Sequence, residues 1–155
     1  MTHWKSPDEW NRMKSGVDCA MCADLYLDVN PFSFKVAEFE HTYVRLARNQ
    51  YLRGWTLVML KRHANELFEL TDAELLGFWR DVATVAQALD RLYSPAKINY
   101  AVLGNLCPHI HCHLVVQTYA SDPTKPLNMN EQEVLLSEPE YARMIGELQH
   151  ALASG

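Results

Sequence analysis

The spacing of apolar and polar residues predicts three neighbouring strands in the first half of the chain. Runs rich in β-branched and aromatic residues cover 34–39, 42–46 and 55–60. Short polar stretches, Glu40-His41 among them, separate these runs. Such segments bounded by turn residues are typical of a sheet built from consecutive antiparallel strands. We therefore predict an antiparallel meander with His41 at its first turn, on the surface.

Three segments carry helix signals instead. Ser6-Pro7 with Glu9 predicts a short helix over about 7–15. A long helix begins at Thr71 with Glu74 and is ended by Ser94-Pro95. A final helix begins at Ser137 and runs to about residue 152. Apolar residues recur at helical spacing along the second segment, at Leu75, Trp79, Val82, Ala83, Ala86, Leu89 and Tyr93. The last segment has the same kind of apolar face, at Tyr141, Met144, Ile145, Leu148 and Leu152. Both faces predict packing against a sheet.

A further strand over 97–103 and a turn over 104–108 lead into the most unusual stretch of the chain. His109, His111 and His113 occupy alternate positions in a run that is otherwise apolar. In a strand, alternate side chains point to the same face, so three imidazoles are predicted on one side of the sheet. Imidazoles without a role would cost desolvation in a strand covered on both faces, so we interpret them as a functional site.

The fold class predicted is α+β, with an antiparallel sheet of about five strands, one long central helix and a C-terminal helix.

Composition and charge limit the classes of function. The chain has 155 residues, 48% of them hydrophobic and 21% charged, which suits one ordinary globular domain. A net charge of −5 argues against a broad surface for a nucleic acid polymer, so an anionic ligand should be small. The sequence shows neither a signal peptide nor a membrane span, and we expect a cytoplasmic protein with no membrane partner.

Cys19 and Cys22 form a Cys-x-x-Cys pair in a region without an obvious regular element. Two thiolates of a zinc site, free thiols and a redox pair are the three interpretations. A redox pair expects a strand before it and a helix after it, and neither is predicted here, so zinc is favoured. His63 follows the third strand, where a lone histidine is usually exposed and without a function.

The run His109-Ile110-His111-Cys112-His113-Leu114-Val115 resembles the signature of the histidine triad (HIT) superfamily of nucleotide hydrolases and transferases. This resemblance implies that His111 attacks the α-phosphorus of a nucleotide to form a nucleotidyl-histidine intermediate, which water then hydrolyses. It also implies that His113 donates hydrogen bonds to the phosphate oxygens, as His109 does in zinc-free relatives. The third histidine favours hydrolase chemistry, since the uridylyltransferase branch has glutamine there.

The resemblance further implies one structural zinc ion per chain, held by Cys19, Cys22, His63 and His109, and no organic cofactor. A Cys2His2 set suits tetrahedral zinc that is closed to substrate. Family members of this type are homodimers in which two small sheets join, and we expect the same here. The resemblance runs from Cys19 to about residue 127, so we divide the single domain, 1–155, into an N-terminal helical extension (1–18), a HIT core (19–127) and a C-terminal segment with its helix (128–155).

Two asparagines are further candidates for substrate binding. Asn105 stands about where many relatives carry a glutamine that contacts phosphate, and the amide of Asn99 is a similar candidate, although ordinary turn hydrogen bonding explains both nearly as well. Two departures from the family pattern affect the pocket. Gln117-Thr118 replaces Pro-Arg after the triad, and Trp55 replaces a histidine.

Three hypotheses of function follow. The leading one is a nucleotidyl hydrolase that cleaves a dinucleoside polyphosphate, a nucleoside phosphoramidate or a related nucleotide ester. The second is a nucleotide-binding or scaffolding protein without turnover. The third is a site at which the metal itself is catalytic, which would require open coordination positions.

Overall fold

The computed structural model describes residues 4–127 and 132–155. Three of its four described helices begin where side-chain caps predict them. Helix α1 spans Pro7–Lys14, α2 Ala20–Asp24, α3 Asp72–Tyr93 and α4 Glu138–Ala153. A single 3₁₀ turn covers Leu67–Glu69. Ser6, Thr71 and Ser137 each form a capping box with the glutamate three residues on, which satisfies backbone N–H groups at the helix start.

Five strands form one antiparallel sheet in which the histidine-rich strand lies in the interior. The strands are β1 (Ser33–Glu38), β2 (Thr42–Ala47), β3 (Thr56–Leu60), β4 (Lys97–Ala101) and β5 (His111–Gln117). Their order is β1-β2-β3-β5-β4, so β5 pairs with β3 on one side and β4 on the other. The α+β prediction and the meander of the first three strands are confirmed.

The two faces of the sheet have different roles. Helices α3 and α4 cover one face, where Val58, Cys112 and Leu114 are fully buried. The opposite face presents His111 and His113, with Met59 and Leu57 directly across on β3. Strands β3 and β5 therefore each contribute one set of alternate residues to the core and the other set to the face of the candidate site.

A buried arginine positions the segment that borders the candidate site. Arg45 is completely buried on β2 and donates hydrogen bonds to the carbonyls of Leu25, Leu27 and Ser33 and to the Ser33 hydroxyl. A guanidinium offers five donors in a rigid fork, which fits such a cluster of acceptors. Arg45 therefore holds the chain that follows α2 against the sheet.

Several predictions at the level of elements were wrong. Residues 20–24, expected to be irregular, form α2 with Cys19 as its N-cap. On α3, Trp79 and Ala83 are exposed, while Phe78 and Val85 are buried instead. His109 precedes β5, so only two of the three histidines lie in the strand.

Three smaller observations complete the description. His41 does lie at the turn between β1 and β2, but it is half-buried because its ring packs over Gly77, where a Cβ atom would come within 2.4 Å of the ring. The predicted C-terminal segment, 128–155, falls partly outside the described residues, at 128–131. Among the described helices, none has the length and apolar character that crossing a membrane requires.

Candidate active site and metal centre

His111 and His113 form a pair of rings on the open face of the sheet. Their ring centroids lie 4.8 Å apart with an interplanar angle of 71°. His111 is 5% exposed, and His113 is partly buried. The two residues that sequence analysis placed at the chemical centre are therefore in contact.

A backbone hydrogen bond fixes the tautomer of His111. Its Nδ1 lies 2.6 Å from the carbonyl oxygen of His109. A carbonyl only accepts, so Nδ1 carries the proton and Nε2 of the neutral ring keeps its lone pair. Burial lowers the pKa of His111 below its ordinary value, which favours the neutral ring. In this form His111 can act chemically as a base or a nucleophile.

An indole hydrogen bond fixes the opposite tautomer at His113. Trp55 donates from Nε1 to Nδ1 of His113 over 3.1 Å. Because that Nδ1 accepts, the proton of the neutral ring lies on Nε2. Burial, and then the neighbouring His111, lower the pKa of His113 to about 4. His113 is thus a neutral hydrogen-bond donor at neutral pH.

An apolar wall surrounds this pair. Leu25, Ala47, Leu57 and Met59 form a buried cluster separate from the main core, against which Met21, Tyr43 and Trp55 pack. Ligand pockets commonly combine such an apolar lining with a few polar groups that fix orientation. The wall suits the uncharged part of a ligand whose charged part lies at the histidines.

A second cluster contains the four predicted metal ligands. Each of Cys19, Cys22, His63 and His109 offers one ligand atom, and these atoms lie within 4.8 Å of one another. The Sγ atom of Cys22 is 3.3 Å from Nδ1 of His63 and 3.4 Å from Nδ1 of His109, and Cys19 Sγ is 3.5 Å from the same His109 atom. Sulfur and nitrogen ligands of one tetrahedral zinc ion are separated by about 3.5 Å, so the donor set fits.

Backbone carbonyls orient both histidines of this cluster. Nε2 of His109 donates to the Leu60 carbonyl over 2.7 Å, and Nε2 of His63 donates to the Lys14 carbonyl over 2.9 Å. Each ring is thereby left with Nδ1 as the free ligand atom. Such outer hydrogen bonds are the usual way in which proteins fix a metal-binding imidazole. The second of them connects α1 to the metal centre.

Sequence analysis missed one neighbour of this cluster. The Cys107 Sγ atom lies 3.6 Å from that of Cys19. This thiol, and then His109, lower the pKa of Cys19, whereas the hydrogen bond to Cys19 and burial raise the pKa of Cys107. One thiolate stabilised by neighbouring donors is a favourable starting point for metal binding. In the sequence, the signal for Cys107 was its position two residues before His109.

The two candidate asparagines have different surroundings. Asn99 shares the face of His113 and donates to the Pro126 carbonyl over 3.2 Å, as Gln117 does over 2.8 Å. Asn105 is exposed and lines a cleft of about 480 Å³ beside Trp10. Within the described residues, no hydrogen bond joins Asn105 to His111 or His113. Gln117, which departs from the family pattern, thus anchors the loop after β5.

Comparison with known proteins identifies the family. The family model described as the HIT domain matches residues 30–119, which include all five strands and the histidines of the triad. The chain belongs to the HIT domain family. The matched region leaves out Cys19, Cys22 and the helices α1, α2 and α4, so two of the four candidate metal ligands of this HIT protein lie outside it.

Individual relatives agree with this assignment. An asymmetrical bis(5'-nucleosyl)-tetraphosphatase of Schizosaccharomyces pombe is 28% identical over 94 residues, 57% of this chain, and the chain spans 48% of that relative's length. A histidine triad protein from Bradyrhizobium japonicum has the same fold, with a TM-score of 0.74, 20% identity, and coverage of 83% of this chain and 97% of that one. A Zn-bound histidine triad family protein from Mycobacterium smegmatis gives a TM-score of 0.64 and 23% identity over 88% of this chain and 94% of that one.

Proposed function

We propose that this HIT protein hydrolyses the α-phosphate bond of a dinucleoside polyphosphate, a nucleoside phosphoramidate or a related nucleotide ester, with His111 as the nucleophile. The observation that carries the proposal is the pair of opposite tautomers. Nε2 of His111 keeps its lone pair, whereas Nε2 of His113 carries the proton. A nucleophile beside a donor is the arrangement that phosphoryl transfer through a covalent intermediate requires.

The chemistry proceeds in two displacements. Nε2 of His111 forms a bond to the α-phosphorus, and the bond from that phosphorus to the leaving group breaks with its electron pair on the leaving atom. Water then forms a bond to the same phosphorus, and the phosphorus–nitrogen bond returns its electrons to His111. The products are a nucleoside monophosphate and the leaving group. When a polyphosphate leaves, the protons lost by water go to solvent, and when an amine leaves, they end on the amine. His113 stabilises the negative charge on the phosphate oxygens in both steps.

Metal binding has a structural role in this proposal. Cys19, Cys22, His63 and His109 would hold one zinc ion per chain, which would supply a closed tetrahedral cross-link. His109 positions His111 through its carbonyl, so the metal-bound residue acts on the site by orientation. The Zn-bound histidine triad family protein from Mycobacterium smegmatis supports zinc as the ion. The chemistry proposed needs no organic cofactor.

The remaining assignments concern the ligand and the setting. We infer that the apolar wall holds the nucleoside, that Asn99 contacts the substrate from β4, and that Asn105 does so from the loop before Pro108. In a form without metal, His109 would be free to contact phosphate as well. Four free cysteines suit a reducing, cytoplasmic setting, and the unpaired edge of β4 suits a homodimer.

Replacement of His111 tests the proposal. We expect His111→Asn to lower release of nucleoside monophosphate from diadenosine tetraphosphate or from AMP-lysine by roughly four orders of magnitude or more, because no other group attacks phosphorus. The exposed His150→Asn on α4 is the matched control and should keep full activity. Mass spectrometry of quenched wild-type protein should find a nucleotidyl adduct on His111.

Two results would contradict the proposal. Turnover that persists in His111→Asn would show that another residue is the nucleophile. Tight nucleotide binding by the wild-type protein, with no release of monophosphate from any substrate, would instead favour a binding or scaffolding role.

A further inference from the structure

Trp55 occupies a rigid position beside the catalytic pair. Its indole and the His113 ring lie 5.6 Å apart between centroids, and its Nε1 is 3.1 Å from Nδ1 of His113. Its backbone N–H donates to the Leu52 carbonyl, and its own carbonyl accepts from the N–H of Ala47 and from the Gln50 amide. The indole is therefore presented to His113 from a fixed piece of backbone.

An indole nitrogen restricts its partner more than a histidine at the same position would. The Trp55 N–H donates and never accepts, so it stabilises only those forms of His113 whose Nδ1 carries no proton. Protonation of His113 would place two N–H groups against each other across 3.1 Å. A histidine at position 55 would be able to change its own tautomer and accept a hydrogen bond from a protonated Nδ1 of His113 instead.

We propose that Trp55 is a positioning residue that confines His113 to its neutral, Nε2-protonated form, and that it thereby directs this site towards phosphoanhydrides and away from phosphoramidates. The inference rests on the proposed function. A neutral imidazole donates a hydrogen bond to phosphate oxygens, but it does not deliver a proton to a leaving group at neutral pH.

The two substrate classes differ in their leaving groups. Cleavage of a phosphoanhydride breaks a phosphorus–oxygen bond, and the polyphosphate departs as a stable anion with the electron pair on oxygen. Cleavage of a phosphoramidate breaks a phosphorus–nitrogen bond, and the basic amine must gain a proton as it departs. A site whose donor stays neutral therefore stabilises the first departure better than the second.

The surroundings of His113 agree with a neutral donor. Leu57 on β3 and Ala101 on β4 are its cross-strand partners and carry no charge, and the titratable group that faces it is His111. Burial and His111 already lower the pKa of His113 to about 4. The Trp55 hydrogen bond acts in the same direction, because it stabilises the neutral form.

The test compares Trp55→Phe with Trp79→Phe in the full-length protein. The first variant removes the N–H and keeps an aromatic ring, and the second makes the same change on the exposed side of α3. Loss of the hydrogen bond should raise the pKa of His113 by up to about one unit, a tenfold increase in its protonated fraction. Nitrogen-15 NMR of the imidazoles should show Nδ1 of His113 unprotonated in the wild type and mixed tautomers in Trp55→Phe.

The kinetic measurement is the ratio of kcat/KM for diadenosine tetraphosphate to kcat/KM for AMP-lysine. The wild type should favour the tetraphosphate, Trp55→Phe should lower the ratio by up to about tenfold near pH 6, and Trp79→Phe should leave it unchanged. A wild type that prefers AMP-lysine, or a His113 protonated on Nδ1, would overturn the inference. If neither substrate is cleaved, the proposed function fails. The tautomer of His113 in the wild type, measured by NMR, still decides the role of Trp55, even if Trp55→Phe does not fold.

Discussion

At the residue scale, His113 couples the candidate chemistry to the stability of the fold. Its pKa is about 4 in the folded protein, against 6.5 for an unperturbed histidine. Between these values the unfolded chain binds a proton that the folded protein excludes. The free energy of unfolding should therefore be undiminished above pH 6.5 and should fall as the pH decreases towards 4.

We expect His113→Gln to remove this part of the acid sensitivity. Between pH 7.5 and pH 5, the wild type should lose about 2 kcal/mol more than the variant, since glutamine does not titrate. Urea unfolding of both proteins at the two pH values measures the difference, and loss of metal at acid pH affects both equally. Parallel pH dependences would show that His113 is not neutral in the folded protein.

The sequence predicted which residues lie together at the candidate site, but it did not predict how they are hydrogen-bonded. Alternate histidines with apolar neighbours are a local pattern, and they identified His111 and His113. The bond between Trp55 and His113 joins residues 58 positions apart and depends on the register that pairs Leu57 with His113. The contact of Cys107 with Cys19 depends on the turn before His109, whose geometry the position of Cys107 in the sequence does not predict.

At the element scale, the candidate metal centre connects four short segments of the chain. Cys19 and Cys22 come with α2, His63 with the chain after β3, His109 with the entry to β5, and the Lys14 carbonyl with the end of α1. A cross-link between such segments is a common role of structural zinc. The N-terminal extension, for which the sequence suggested no role, is thereby part of the outer shell of the metal site.

Removal of the metal should loosen these segments together. We expect a chelator to lower the Tm of the wild type by roughly 10 °C, corresponding to about 3–4 kcal/mol, and to speed amide exchange over 14–24. Cys22→Ser should show the lower Tm from the start, and the chelator should not change it further. A Cys22→Ser protein that keeps one zinc per chain and the wild-type Tm would disprove the ligand set.

The boundaries of helices and strands were predictable where a helix cap or a regular spacing of apolar residues marked them. Capping boxes located the starts of α1, α3 and α4, and alternation located the strands. Helix α2 was missed because its five residues have no room for a periodic pattern. The buried stripe of α3 was placed wrongly at Trp79 because several apolar stripes fit one long helix, and only the sheet beneath it selects Phe78.

At the scale of the whole molecule, β4 leaves one edge of the sheet unpaired. Beyond it, a groove of about 420 Å³ runs between α3 and β4, lined by Ala83, Gln87 and Tyr100 among others. Tyr100 and Leu103 are exposed by 46% and 42%, so apolar surface adjoins open backbone groups. Both features suit the joining of two sheets across a two-fold axis, in which the same surface serves both copies.

A charge at this edge should therefore weaken the proposed dimer. We expect light scattering to give the mass of two 17.8-kDa chains for the wild type, and Tyr100→Glu to weaken association by about a hundredfold, because it buries an unpaired carboxylate in the interface. Tyr119→Glu is the control, since Tyr119 is 92% exposed in the loop after β5. Because Ala101 on β4 pairs with His113 on β5, a dimer that forms along β4 would also stabilise the position of His113. Tyr100→Glu should therefore lower kcat as the protein dissociates. A wild type that is monomeric at assay concentration, with full activity, would show that the unpaired edge has no part in the function.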